Sequence, residues 1–429
     1  MDILPIRIHA TVEQESAGGK VNFAGFDAVR AFAALGVVLL HSGVPYLENP
    51  MPGLVWPVHD GPSAVIDCLT WGIEIVIMPI FLVLAGFLAW HTIQRRGAKR
   101  LVISRAKRLL IPLAFGLMVV LPIDLYIWVL GWVGEGLVDP VKLKSLKIGG
   151  QRGQNLWGLS HLWFLQYLFL YIITFAGIHY LANRFASSDR SRRQRAQWRQ
   201  IKPTALTVGC VGAAVLALRP EVVWGFQHAF APVPSKWLYS GTYFVGGLLL
   251  AIHDPRLDTV GRYASRLAVP AALCMIATIS LGRWHLANES TQLAQSTLAV
   301  LTTMTAWVTT LALIGWTSRR ITPLPVSIRY LAAASFWVYI THHPLLGLIH
   351  IDLKYLVPSL SPIAKFAIAF SLSVGACLST YEVLVRKTAL GRWLGFDWEL
   401  PTVTDHTGDV AEDATISIGT DDEQVARAA

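Results

Sequence analysis

The stretch FDAVRAFAALGVVLLHSG, residues 26–43, places Asp27 and Arg30 at one end of an apolar run and His41 near the other. An ionisable group in hydrocarbon costs about 3 kcal/mol even by the lowest scales unless it faces protein, water or a partner, so these residues are functional candidates by default. On an α-helix Arg30 and His41 fall within about 20° of one face and about 16 Å apart along the axis, with Asp27 one turn before Arg30. Imidazole exchanges a proton near neutral pH and suits general-base work on a hydroxyl. A guanidinium fork suits phosphate. Taken singly, Arg30 could snorkel to headgroups and His41 could sit at an interface. Two unrelated anchors need not share a stripe, which favours a joint role.

Other apolar runs carry polar groups at matching depths. Glu74 stands in WGIEIVIMPIFLVLAGF, Asp124 in LPIDLYIW, His161 and Trp163 in SHLWFLQYL, and Tyr339 and His342 in SFWVYITHHP. His342 and its neighbour His343 point roughly 100° apart on a helix, so one of them at most is expected to face a site shared with His41. Arg105 and Arg108 in ISRAKRLLIP are neighbours on one face, and with Arg30 they could form a cationic mouth for phosphate groups. Glu382 and Arg386 in YEVLVRK are one turn apart and could pair with each other. Interfacial solvation, helix packing and loop charge bias stay open as plainer readings of each of these residues alone.

The elements that must position these groups are membrane helices. Of 429 residues 54% are hydrophobic and 15% charged, too apolar for solvated globular domains. Runs of roughly 20 apolar residues, the length that crosses the hydrocarbon layer, fall at 24–43, 71–91, 109–131, 161–182, 203–219, 236–252, 267–283, 292–316, 331–351 and 363–385. The fold expected is an all-α polytopic integral membrane protein of about ten transmembrane helices. Lys and Arg concentrate at every second boundary, as in QRRGAKRLVISRAKR and NRFASSDRSRRQRAQWRQIKP, which places both termini in the cytoplasm. Loop position also explains the net charge of +9 without a nucleic-acid partner.

Residues 1–22 read as a cytoplasmic segment without a cleavable signal, 23–397 as the transmembrane domain, and 398–429 as a disordered acidic cytoplasmic tail. Cys68, Cys210, Cys274 and Cys377 show no disulfide or metal spacing, so no metal is expected. No Walker loop or GxGxxG motif supports ATP-driven transport or dinucleotide chemistry. Buried histidines and carboxylates suit two activities, general-base work on a hydroxyl acceptor and proton-coupled transport.

Arg30 and His41 with ten residues between them, Arg105-x-x-Arg108 before LLIP, AGF at 85–87, HLWFL at 161–165 and Tyr339-x-x-His342 together resemble the integral-membrane acyltransferase family 3. Within it, HLWFL, VYITHHPLL and YEVLVRKTALGRWLGF are most similar to the subgroup that succinylates periplasmic glucans. The likeness runs in order from about residue 23 to 397. It implies transfer of an acyl group, succinyl or acetyl, from cytoplasmic acyl-CoA to a hydroxyl of a periplasmic or surface carbohydrate. The enzyme would lie in the bacterial inner membrane among its lipids and be reached from both sides. Acyl-CoA would be a donor substrate, with no cofactor bound permanently. The resemblance gives His41 the catalytic part and gives the donor to Arg30, Arg105 and Arg108 with Asp27 orienting Arg30. Glu74, His161 and His342, at matching depths, are expected to join His41 in catalysis. Asp124, Trp163, Tyr339 and Glu382 are expected at the acceptor site or as support. Ala85 stands where the family usually has Ser. General-base catalysis and an acyl-histidine intermediate both fit these residues.

Overall fold

The computed structural model describes residues 24–150, 156–185, 203–227, 229–321 and 323–395. The terminal segments expected at 1–22 and 398–429 lie outside the described residues. Among the described residues the regular structure is helical throughout, with no strand. Helix α1 is Ala24–Gly43, α2 Ala64–Phe115, α3 Leu121–Gly134, α4 Trp163–Phe185 and α5 Pro203–Leu218. After these come α6 Pro234–His253, α7 Asp258–Ala287, α8 Gln292–Arg320, α9 Val326–Leu356 and α10 Pro362–Thr380.

Gly97 divides α2 into two helices. Its φ of 75° and ψ of 168° lie where an L side chain is strained, and no neighbour crowds the position, so backbone freedom and not space requires the glycine. A π turn at Gly116–Val120 joins α2 to α3, and a second, Tyr381–Val385, closes α10. Each π turn widens the helix by a residue and rotates the chain on its C-terminal side.

Among the described residues six stretches are long and apolar enough to cross a membrane: Ala24–Tyr46, Ala64–Gly134, Ser160–Arg184, Asp258–Ala287, Gln292–Arg320 and Pro362–Val385. Ala64–Gly134 holds two of the ten expected segments on either side of Gly97. Helix α5 is short, and α6 and α9 carry more polar groups. All these segments are nonetheless helical. On α7, Val269, Leu273 and Ile276 are exposed at helical spacing, the apolar stripe of a helix that faces hydrocarbon.

Interhelix bonds set the register at the site. Arg30 of α1 bonds the carbonyl of Ala332 and His41 meets His342, so α1 and α9 run parallel. Asp124 meets His343 and Glu135 pairs with Lys354, so α3 is parallel to α9 as well. Helices α2 and α6 cross at glycines. A Cβ on Gly86 would stand 2.1 Å from the Phe244 carbonyl oxygen, and one on Gly247 would stand 2.1 Å from that of Val83. Close backbone approach replaces hydrophobic drive where lipid is as apolar as the helices. Gly247→Ala is therefore expected to cost about 1–3 kcal/mol by overpacking. The check is the thermal unfolding midpoint of the purified protein in detergent, which should fall.

Candidate active site

The end of α1 delivers His41 to the side of α9. His41 Nδ1 lies 3.0 Å from the Val37 carbonyl oxygen and 3.1 Å from His342 Nε2. His342 Nδ1 is 3.0 Å from the carbonyl oxygen of Val338, which can only accept, so His342 donates there and presents Nε2 as an acceptor. The same reasoning puts the His41 proton on Nδ1, shared between two acceptors, and leaves a lone pair on Nε2. A proton arriving at Nε2 would create an imidazolium whose Nδ1–H already faces a carbonyl and an imidazole lone pair.

Beside this pair lies a carboxylate dyad. Asp124 is fully buried on α3, and its Oδ1 accepts from His343 Nδ1 at 2.8 Å while Oδ2 accepts from the Ser160 hydroxyl at 2.9 Å. Ser160 holds a φ of 50°, a left-handed backbone that a non-glycine residue keeps only when its surroundings dictate it. His161 donates Nε2–H to the carbonyl of Ile340 at 3.0 Å, and the Tyr339 hydroxyl donates to the carbonyl of His161. The His41 ring lies 5.0 Å from that of His343, and the His161 ring stacks on His343 at 4.7 Å. One ligand atom each from Asp124, His161 and His343 lies within 4.8 Å of the other two. The 2.8 Å between Asp124 and His343 is a hydrogen bond, closer than the roughly 3.3 Å between ligand atoms around a tetrahedral ion with bonds near 2.0 Å.

Trp56, in the segment between α1 and α2, walls the cluster. Its ring is nearly parallel to His41 at 6.1 Å and edge-on to His343 at 4.8 Å. It is pinned at both ends. The indole N–H donates to His350 Nδ1 at 3.1 Å, and the Trp56 carbonyl accepts from the Trp132 indole at 2.9 Å. A cavity of about 140 Å³ opens against this wall, lined among others by His41, His161, His343, Glu74, Trp163 and Tyr339. Its aromatic lining with few polar groups suits a bound organic substrate.

Of the sequence candidates, His41, Glu74, His161, Trp163 and Tyr339 share this cavity, and Asp124 supports it from behind. His342 sits behind His41, while His343 lines the cavity, so the adjacent pair divides into a supporting and a facing imidazole. Arg30, Arg105 and Arg108 gather at the other end of α1. They lie near enough for each to bear on the others' charge, and Asp27 pairs with Arg30 at 3.2 Å. Glu382 belongs to that end too. It pairs with Arg386 at 2.7 Å and accepts from Tyr330 at 3.1 Å, away from the histidines.

Sequence reasoning passed over Ser160, Trp56, His350 and Lys236, and left open which of His342 and His343 faces the site and which packs. A signal existed for two of them. A buried carboxylate at Asp124 demands a donor at its own depth, and His350 lies two turns from His343 on the same face of α9. Trp56 sits in a segment without periodicity and left no such mark.

Residues 23–382 match the family model of the acyltransferase domain, the third acyltransferase family. The chain belongs to that family. It is thus a membrane acyltransferase, and His41 and His343 on the cavity, backed by His342 and Asp124, form its candidate active site. No curated protein and no solved structure matches the chain.

Proposed function

We propose that this acyltransferase moves an acyl group from cytoplasmic acyl-CoA to a hydroxyl of a periplasmic or surface glycan, with succinyl favoured over acetyl. The observation that carries the reading is the two-ended α1 stripe. One end gathers the guanidiniums of Arg30, Arg105 and Arg108, with Asp27 beside Arg30, and the other holds an imidazole whose lone pair is left over at a cavity. The choice of succinyl rests on the likeness of HLWFL and YEVLVRKTALGRWLGF to glucan biosynthesis protein C.

The topology that goes with this reading has ten spans in the bacterial inner membrane and both termini in the cytoplasm. Parallel pairing of the first, third and ninth segments supports it, since odd-numbered spans must run alike. The arginine end then faces the cytoplasm and the histidine cavity faces outward, so each substrate enters from its own side. Nucleotide phosphates stay at the arginines, and the pantetheine arm, on the order of 15–20 Å when extended, reaches the level of His41.

There His41 Nε2 accepts the proton of the acceptor hydroxyl as the oxygen bonds to the thioester carbonyl carbon. The tetrahedral intermediate collapses with cleavage of the carbon–sulfur bond, and the proton passes to the departing thiolate. The products are an ester and free CoA thiol. The Asp124 carboxylate, bonded to His343 beside His41, lowers the cost of the positive charge that forms in between.

The purified full-length protein supplied with acyl-labelled succinyl-CoA and periplasmic glucan should place label on the glucan and release one thiol for each ester. Glucan crossing a vesicle membrane with no thiol released would instead support an exporter. For the donor mouth, Arg105→Gln with Arg108→Gln is expected to raise KM for acyl-CoA about 10- to 100-fold, the effect of losing charge-assisted contacts, while kcat stays within a few-fold. A fall in kcat at unchanged KM would place these arginines elsewhere in the cycle.

A further inference from the structure

The cavity holds one lysine, which the proposed acyl transfer does not use. Lys236 stands in the first turn of α6, with its ammonium 3.8 Å from the centre of the Trp163 ring and 3.5 Å from the carbonyl oxygen of Gln227. Among the described residues no carboxylate comes within ion-pair distance of it. Glu74, across the same cavity, bears on its charge only from farther away. An ammonium held over an aromatic face, with weak hydrogen bonds and no contact counter-ion, has donor capacity left to offer an anion. It lines the same cavity as His41. A thioester that arrives from the arginines and halts with its carbonyl at His41 extends its acyl tail further into that cavity.

We propose that Lys236 receives the distal carboxylate of the transferred acyl group, so that the donor is the CoA thioester of a short dicarboxylic acid. The inference rests on acyl-CoA being the donor and deepens that reading. Acetyl leaves the ammonium without a partner, and a monocarboxylic chain of the same length brings a methyl group to it. Trp163 then holds Lys236 in place, and Glu74 supplies a long-range counter-charge that keeps the ammonium charged in an aromatic setting while leaving its protons free. The selection is therefore made by charge at the end of the chain and not by chain length.

The test compares succinyl-CoA with butanoyl-CoA, which has the same number of carbons and a methyl in place of the carboxylate. Binding to the purified full-length protein in detergent is followed by titration calorimetry, without acceptor. Wild type is expected to bind succinyl-CoA about 10- to 100-fold more tightly, the range of one charge-assisted contact. Lys236→Met should bring the ratio near one by weakening succinyl-CoA alone, and Lys236→Arg should retain most of it. A general structural role would shift both thioesters together and leave the ratio intact. Equal affinities in wild type overturn the proposal without any variant, so misfolding of Lys236→Met cannot shelter it. A ratio that survives in a folded Lys236→Met overturns it as well. If neither thioester nor free CoA binds wild type, the donor reading itself fails, an outcome distinct from equal binding of both.

Discussion

His41→Ala is expected to lower acyl transfer by about 10²- to 10⁴-fold, the contribution of a positioned general base, while the protein still inserts, folds and binds acyl-CoA. The reason lies in how little else depends on this ring. His342 keeps its bond to Val338, Asp124 keeps His343 and Ser160, and Trp56 keeps both of its pins. Removal of the imidazole therefore takes away a proton acceptor and leaves its frame. Because the phosphates are held at the arginine end, KM for the donor should move little. Added imidazole, which fits the space vacated beside Trp56, should restore part of the rate. The measurement is thiol release with succinyl-CoA and glucan, set beside the unfolding midpoint in detergent. A folded His41→Ala protein with most of its activity would remove His41 from the chemistry.

Asp124→Asn should depress kcat by about 10²- to 10⁴-fold for a different reason, the loss of a buried negative charge beside the forming imidazolium. The amide has nearly the shape of the carboxylate and can still bond to both His343 and Ser160, so the fold should persist. Asp124→Ala separates stability from catalysis. It leaves His343 and Ser160 without their acceptor in a fully buried place and should cost about 3–5 kcal/mol. The pair is therefore expected to split. The Asn variant should be stable and slow, whereas the Ala variant should be both slow and readily unfolded. Asp124→Asn with near-normal kcat would reduce the dyad to packing.

Much of the scaffold was legible in the chain because lipid imposes a strong rule. Every backbone polar group in hydrocarbon must be satisfied within its own segment, so a long apolar run reads as a helix with little ambiguity. The same regularity made the α1 stripe readable. Arg30 and His41 lie on one rigid helix, and its period sets their angle and separation before any neighbour is known. In the folded chain both residues turn to α9, at Ala332 and His342.

What the sequence determined by itself is thus whatever lives on one helix: the helical character of the expected segments, the alignment of Arg30 with His41, the Arg105 and Arg108 pair, and the local ion pair of Glu382 with Arg386. Tertiary structure decided how those helices are rotated against one another. It turned His343 rather than His342 to the cavity, gave His343 the Asp124 carboxylate, stood Trp56 against His41, and set Lys236 over Trp163. The physical reason is that each of these contacts joins segments far apart in the chain, and its geometry depends on interhelix packing and on the π turn before Asp124. A rotation of one residue, about 100°, would have exchanged the two histidines.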